Sequence, residues 1–188
     1  MAHTDKLEDS TLDAIAKQVG EFFPRLTTKV NLLIQPSEVG ETFAIWLLRA
    51  EDTISRTTVK LAELAQNTGR WHSQVRIGGK AQVVARSIPL GGDPANWSVR
   101  QIFEGDLAQA IDEAISWVDA NVQDDPLVRV LEVPAYHITA LWLVYSTEDN
   151  VVIARQPDGL QYLRRLTLYS SRDFLENLRK EQFIIGIL

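Results

Sequence analysis

Val128-Arg-Val-Leu-Glu-Val-Pro-Ala-Tyr-His-Ile-Thr-Ala-Leu-Trp-Leu-Val-Tyr145, closed by Thr147-Glu-Asp-Asn150 and answered by Val151-Val-Ile-Ala154, is the stretch on which the fold turns. Successive side chains of a strand point to opposite faces. Here one set is Tyr136, Ile138, Ala140, Trp142 and Val144, and the other is Ala135, His137, Thr139, Leu141, Leu143 and Tyr145. Both are largely apolar, the pattern of a strand covered on both faces. The run therefore reads as the central hairpin of a buried sheet. Pro134 cannot donate to a ladder, so a bulge or break is expected between Val128–Val133 and the residues from Ala135 onward. With Thr147 to Asn150 as a four-residue loop, Trp142 falls opposite Arg155, which would make a cation–π pair.

Working outward, Trp71 to Ile77 and Lys80 to Ile88 form a second hairpin, because Gly78-Gly79 supplies the two adjacent positive-φ positions that a two-residue turn demands. Leu107, Ile111, Ala114, Ile115, Val118 and Val122 recur at spacings of three and four, predicting a helix over 104–122 with an acidic outer face. A first helix over 10–22 starts at Ser10 as N-cap and stops at Pro24. Lys29 to Gln35 reads as a short strand. Residues 37–51 fit either element, and the face formed by Val39, Phe43, Trp46, Leu47 and Ala50 favours helix. A helix is expected over 57–66, stopped at Asn67-Thr-Gly69, and Pro89 to Trp97 reads as the longest loop. Leu160 to Tyr169 reads as a strand, followed by a helix over 171–182 capped by Ser170 or Ser171. The apolar end Phe183-Ile-Ile-Gly-Ile-Leu188 is expected to dock as a last strand or to bind a partner. No fixed-period repeat is visible.

Composition sets the class. With 188 residues, 45% hydrophobic and 23% charged, the chain can bury a core without disulfides or a structural metal, and one domain over 1–188 is expected. A net charge of −6 argues against a nonspecific grip on nucleic acid, which needs clustered Lys and Arg. Arg164, Arg165, Arg172, Arg179 and Lys180 are interleaved with acids and read as solvated surface. The lack of cysteine excludes thiolate chemistry and Cys-based metal sites. No run approaches the roughly 20 apolar residues of a membrane span, and a cytoplasmic location is the default expectation.

The search for chemistry turns on three histidines. Gly79-Lys80 is followed by Ala81, so the phosphate-loop pattern fails, and no nucleophile elbow or His-Glu-x-x-His is present. The acidic residues near Asp93, Glu104 and Asp106 are too irregularly spaced for a calcium loop. His137, in the presumed strand beside Thr139, could act as a general base oriented by Asp149 or Glu132, against the plainer reading of a hydrogen-bonded core histidine. His72 reads as a surface residue, and His3 lies near a terminus. Asn96-Trp97-Ser98 matches a glycosylation acceptor, a pattern frequent by chance. Trp97 itself, in a polar loop, would serve as an interface anchor or plug the loop.

We therefore expect an α+β fold, a mixed or mainly antiparallel sheet with helices packed on it. The favoured function is a non-enzymatic interaction or scaffold domain that binds a protein partner or self-associates through Trp97, Ile184, Ile185 and Leu188. The alternatives are a hydrolase- or transferase-like enzyme using His137 with carboxylate partners, and a small-molecule binding protein. No cofactor or metal is expected.

Overall fold

The structure, a computed structural model, describes residues 3–4, 7–26, 38–54, 60–91 and 93–185. In chain order its elements are β1 (His3–Thr4), α1 (Asp9–Leu26), β2 (Val39–Leu47), α2 (Ala50–Ile54), α3 (Leu61–Leu64), β3 (Gln66–Ile77), β4 (Lys80–Leu90) and β5 (Asp93–Glu104). These are followed by α4 (Asp106–Asn121), β6 (Leu127–Val133), a 3-10 turn over Pro134–Tyr136, β7 (Ile138–Val144), β8 (Asn150–Arg155), β9 (Leu168–Ser170) and α5 (Ser171–Ile185). Hydrogen-bonded neighbours follow the order β5-β4-β3-β2-β6-β7-β8-β9, and β1 pairs with β6. β2 and β6 run parallel, while β3–β4, β4–β5, β6–β7, β7–β8 and β8–β9 are antiparallel. The fold is α+β with a mixed, mostly antiparallel sheet.

The chain divides into two compact units, one of residues 1–3, 45–68 and 110–188, the other of residues 4–44 and 69–109. In the first, the bulge or break expected at Pro134 is a full reversal between two strands. Pro134 opens a tight turn in which the His137 N–H donates to the Pro134 carbonyl, and the chain reverses completely. Pairing then runs from Val133↔Ile138 to Leu127↔Val144. Tyr136, 1% exposed, pins the turn into a core of Leu131, Val133, Ala140, Trp142, Val151 and Ile153, packed with Phe174, Leu175 and Leu178 of α5.

β7 meets β8 in a register that differs from the expected one. Trp142 lies opposite Val151, and Arg155 lies opposite Thr139 across an irregularity at Thr139/Ala140. The cation beside Trp142 is instead Arg129, whose guanidinium carbon is 4.6 Å from the Trp46 ring centre and 5.3 Å from that of Trp142. Residues 160–167 form turns rather than a strand, and only Leu168–Ser170 pairs with β8. Ser170 is the N-cap of α5. Its Oγ accepts the Asp173 N–H at 3.1 Å and donates to Asp173 Oδ2 at 2.8 Å, a reciprocal cap. Helix α5 carries the chain through Ile185, so 183–185 are helical rather than part of a last strand.

In the second unit β3, β4 and β5 form an antiparallel meander. Gly78 and Gly79 sit at φ +61° and +79°, as the two-residue turn requires. Helix α1 covers one face, with Ile15, Ala16 and Val19 against Val39, Val75, Val83, Ala85 and Val99. It begins at Asp9, ahead of the expected cap Ser10, and passes through Pro24 to Leu26. The stop expected at Asn67-Thr-Gly69 lies inside β3, and α3 is a single turn. β4 and β5 are joined by a short turn at Gly91, so the expected loop from Pro89 to Trp97 is mostly strand.

β2 corrects the helix favoured over 37–51. Thr42, Phe43, Ala44 and Ile45 are buried in succession, which a strand covered on both faces permits and a one-sided helical stripe does not. The strand expected at Lys29 to Gln35 lies outside the described residues.

One buried carboxylate holds the 160–167 turns. Glu181, fully buried, accepts the backbone N–H groups of Tyr162 and Leu163 through Oε1. Removing it leaves two donors without an acceptor, each worth about 1–3 kcal/mol when buried. Glu181→Ala should lower the urea-unfolding free energy by about 2–4 kcal/mol. Glu176→Ala, which removes an exposed pair with Lys180, should change it by less than about 0.5 kcal/mol. Equal losses from the two variants would contradict this role for Glu181.

Candidate functional site

The β6–β7 corner places a histidine where the sequence did not suggest. His137 is not in a buried strand: it is the exposed last residue of the hairpin turn, in the left-handed conformation at φ +51°, ψ +33°. Histidine is one of the few non-glycine residues enriched in that conformation. Tyr136 plugs the core on one side of the turn and His137 lines a cleft on the other.

That cleft has a volume of about 420 Å³, within the range of small-molecule sites. Glu132, His137, Thr139, Arg155 and Gln156 line it, framed by Pro134 and Pro157. The register explains the convergence. Glu132 pairs with Thr139 and Thr139 pairs with Arg155, so three adjacent strands present a carboxylate, a hydroxyl and a guanidinium in one row. Directly opposed residues share a face. By the pleat, this row faces away from Leu131 and Ala140, the neighbouring pair whose side chains join the α5 core. Both ends of the row are set by irregularities: the Pro134–His137 turn at one, and at the other the β7–β8 bulge that displaces Arg155 into line with Thr139.

The polar groups are only partly satisfied within the protein. Arg155 is exposed, and its guanidinium makes no hydrogen bond or ion pair among the described residues. Gln156 donates through Nε2 to the Leu163 carbonyl at 3.0 Å, leaving Oε1 buried without a partner among those residues. Chemically the cleft offers donors from Arg155 and His137 and a hydroxyl from Thr139, while Glu132 already has an interaction of its own.

Of the two carboxylates considered as partners of His137, Glu132 shares its cleft and Asp149 does not. Asp149 lies in the β7–β8 loop, where its carbonyl accepts both the N–H and the Oγ–H of Ser171. Trp97 is in strand β5, 8% exposed, with its ring edge-on to Trp71 at 5.9 Å between ring centres. Gln18 of α1 locks the strand there, donating to the Trp97 carbonyl at 3.0 Å and accepting the Val99 N–H at 2.9 Å. The exposed-loop placement that made Trp97 an interface anchor is therefore corrected. Ile184 and Ile185 lie in the last turn of α5, and Leu188 lies outside the described residues. Thr139, Arg155 and Gln156 enter the site by register rather than by any motif.

His72 departs furthest from its expected surface position. It is fully buried in β3, edge-on to Phe43 at 6.0 Å between ring centres. Neither ring nitrogen has a hydrogen-bond partner among the described residues, nor do the buried Oγ atoms of Ser73 and Ser87. Gln74 on the same strand donates to the Ala108 carbonyl at 3.0 Å. Burial, and secondarily the Arg86 guanidinium, lowers the His72 pKa from 6.5 to about 3, so the imidazole is held neutral.

No group of three or more His, Cys, Asp or Glu among the described residues is arranged to hold a metal ion, and no helix there is long and apolar enough to cross a membrane. Neither a protein-family model, a curated protein nor a solved structure matches the chain.

The His72 environment has a consequence for stability. Because the folded pKa lies below the unfolded one, the unfolded chain binds the proton more tightly between pH 6.5 and about 3. The contribution is complete above pH 6.5 and falls with decreasing pH by up to about 1.4 kcal/mol per unit. Urea midpoints measured from pH 7 to 4 should fall more steeply for the native chain than for His72→Phe, which keeps an aromatic ring beside Phe43. Parallel curves would show that His72 is not held neutral.

Proposed function

We propose that this chain is a non-enzymatic binding domain whose recognition site is the cleft at the β6–β7 corner. The observation that carries this reading is the row Glu132, Thr139 and Arg155, joined by His137 in one cleft, with an arginine left unpaired by the described residues. A solvent-facing arginine needs no partner for stability. Set in a concave wall beside an orphaned amide oxygen, it is a group available to a ligand. Small-molecule binding thus gains support over the interaction surface expected from Trp97, whose ring is buried.

A second reading has one observation behind it. His137 and Glu132 line the same cleft, the neighbourhood in which a carboxylate could orient a general base, although no hydrogen bond joins the two. Under that reading the chain is a hydrolase- or transferase-like enzyme.

The test is native mass spectrometry of the full chain purified gently from lysate. The binding reading predicts a small-molecule adduct on the protein that is lost in Arg155→Gln at unchanged melting temperature. A bare chain, or an assembly with another protein unaffected by Arg155→Gln, would overturn it. Turnover of the retained molecule that disappears in His137→Ala while the fold persists would select the enzyme instead.

A further inference from the structure

β5 ends the sheet: in the hydrogen-bonded order it has β4 on one side and, among the described residues, no strand on the other. Such an edge offers a row of backbone N–H and C=O groups to any second strand. The opposite end of the order is β9, only Leu168–Ser170, and shortness is itself a protection. β5 runs for 12 residues, from Asp93 to Glu104, and lacks it. Exposed charges stand along part of its length, at Arg100 and Glu104. The stretch Trp97-Ser-Val99 carries none, and there helix α1 reaches the edge. We propose that Gln18 of α1 is a guard on this edge: its side-chain amide stands in for a neighbouring strand and keeps β5 from pairing with β5 of a second copy of this chain.

The geometry is that of strand pairing. Gln18 Nε2 donates to the Trp97 carbonyl at 3.0 Å, and Gln18 Oε1 accepts the Val99 N–H at 2.9 Å. One amide thus supplies a donor and an acceptor, as a peptide group does, to a carbonyl and an N–H two residues apart on the same side of the strand. A residue on an adjacent parallel strand would make the same two bonds. A competing strand has to displace both before it can pair through this stretch. The guard is also anchored, because Ile15, Ala16 and Val19 on the same helix are buried in one cluster with Val75, Val83, Ala85 and Val99. Gln18 therefore cannot leave the edge by a movement of α1 without unpacking that cluster. A second copy is the partner to be kept out, since two identical edges paired about a two-fold axis offer each other the same groups. This contact lies within the second unit and is independent of the β6–β7 cleft.

The experiment is sedimentation velocity of the full chain over a concentration series, with hydrogen exchange of the Val99 amide followed by NMR in the same samples. The native chain is compared with Gln18→Met and Gln18→Ala. Both variants remove the two bonds and keep a strong helix former in α1. At low concentration the Val99 amide should exchange faster in the variants than in the native chain, while circular dichroism stays the same. Self-association of the variants should be about tenfold tighter or more than that of the native chain. In the associated form the Val99 amide should become protected again, which places the new contact on β5. Variants that associate no more than the native chain would overturn the proposal, even with faster exchange at Val99. So would association that leaves the Val99 amide unprotected, because the contact would then lie on another surface. Unchanged exchange at Val99 in the variants would show that Gln18 does not close the edge at all.

Discussion

The reversal at Pro134–His137 is the constraint on which the rest of the first unit depends. Proline cannot continue the β6 ladder, and the turn it opens closes only with a left-handed residue at position 137. Once the chain turns there, the seven pairs from Val133↔Ile138 to Leu127↔Val144 are determined. They put Leu131, Val133, Ile138, Ala140 and Trp142 into the core with α5 and leave Glu132 and Thr139 on the other side. A one-residue slip would exchange these sets and bury the carboxylate. With the turn formed in this place, the Tyr136 side chain is buried in the same core.

Both units bury polar groups. In the first, Glu181 holds the 162–163 amides, and Ser170 and Asp149 fix the start of α5, while Tyr136 Oη, Trp142 Nε1 and Gln156 Oε1 are buried without a partner among the described residues. In the second, β3 carries His72, Ser73 and Gln74 buried in succession, with several of their side-chain atoms unpartnered among the described residues. Such groups cost stability wherever they are not hydrogen-bonded. The open cleft differs from both, since its unpaired arginine is solvated and costs little until a ligand replaces the water.

Much of the architecture is legible where local chemistry leaves one choice. Gly78-Gly79 marks its hairpin because few other residues take two positive φ angles in succession. The stripe from Leu107 to Val118 predicts α4 to within two residues at either end, and Ser170 caps α5 as expected. β2 is illegible for the converse reason: a strand buried on both faces shows no period of two, and Val39, Phe43, Trp46 and Leu47 happen to match a helical stripe. The Pro134 reversal left a usable signal, since a strand running from 128 to 145 would exceed the usual length of roughly 3–10 residues. The row across β6, β7 and β8 left none. Arg155 reaches Thr139 only through the length of the β7–β8 loop and a bulge, neither of which local pattern encodes. His72 is illegible because its neighbours Trp71, Ser73 and Gln74 give no apolar alternation, and Phe43, which packs on it, comes from a strand far away in sequence.

If the corner exists to present His137 to the cleft, the residue there is a compromise between turn geometry and recognition. Glycine fits the left-handed turn without the crowding that a side chain brings. The most direct measurement is therefore the denaturant-unfolding free energy of His137→Gly, made together with its retention of the bound molecule. The expected stability equals that of the native chain or exceeds it by up to about 1 kcal/mol, with weakened retention. A substantial loss of stability with retention unchanged would mean that His137 serves the turn rather than the site, and would contradict the central claim.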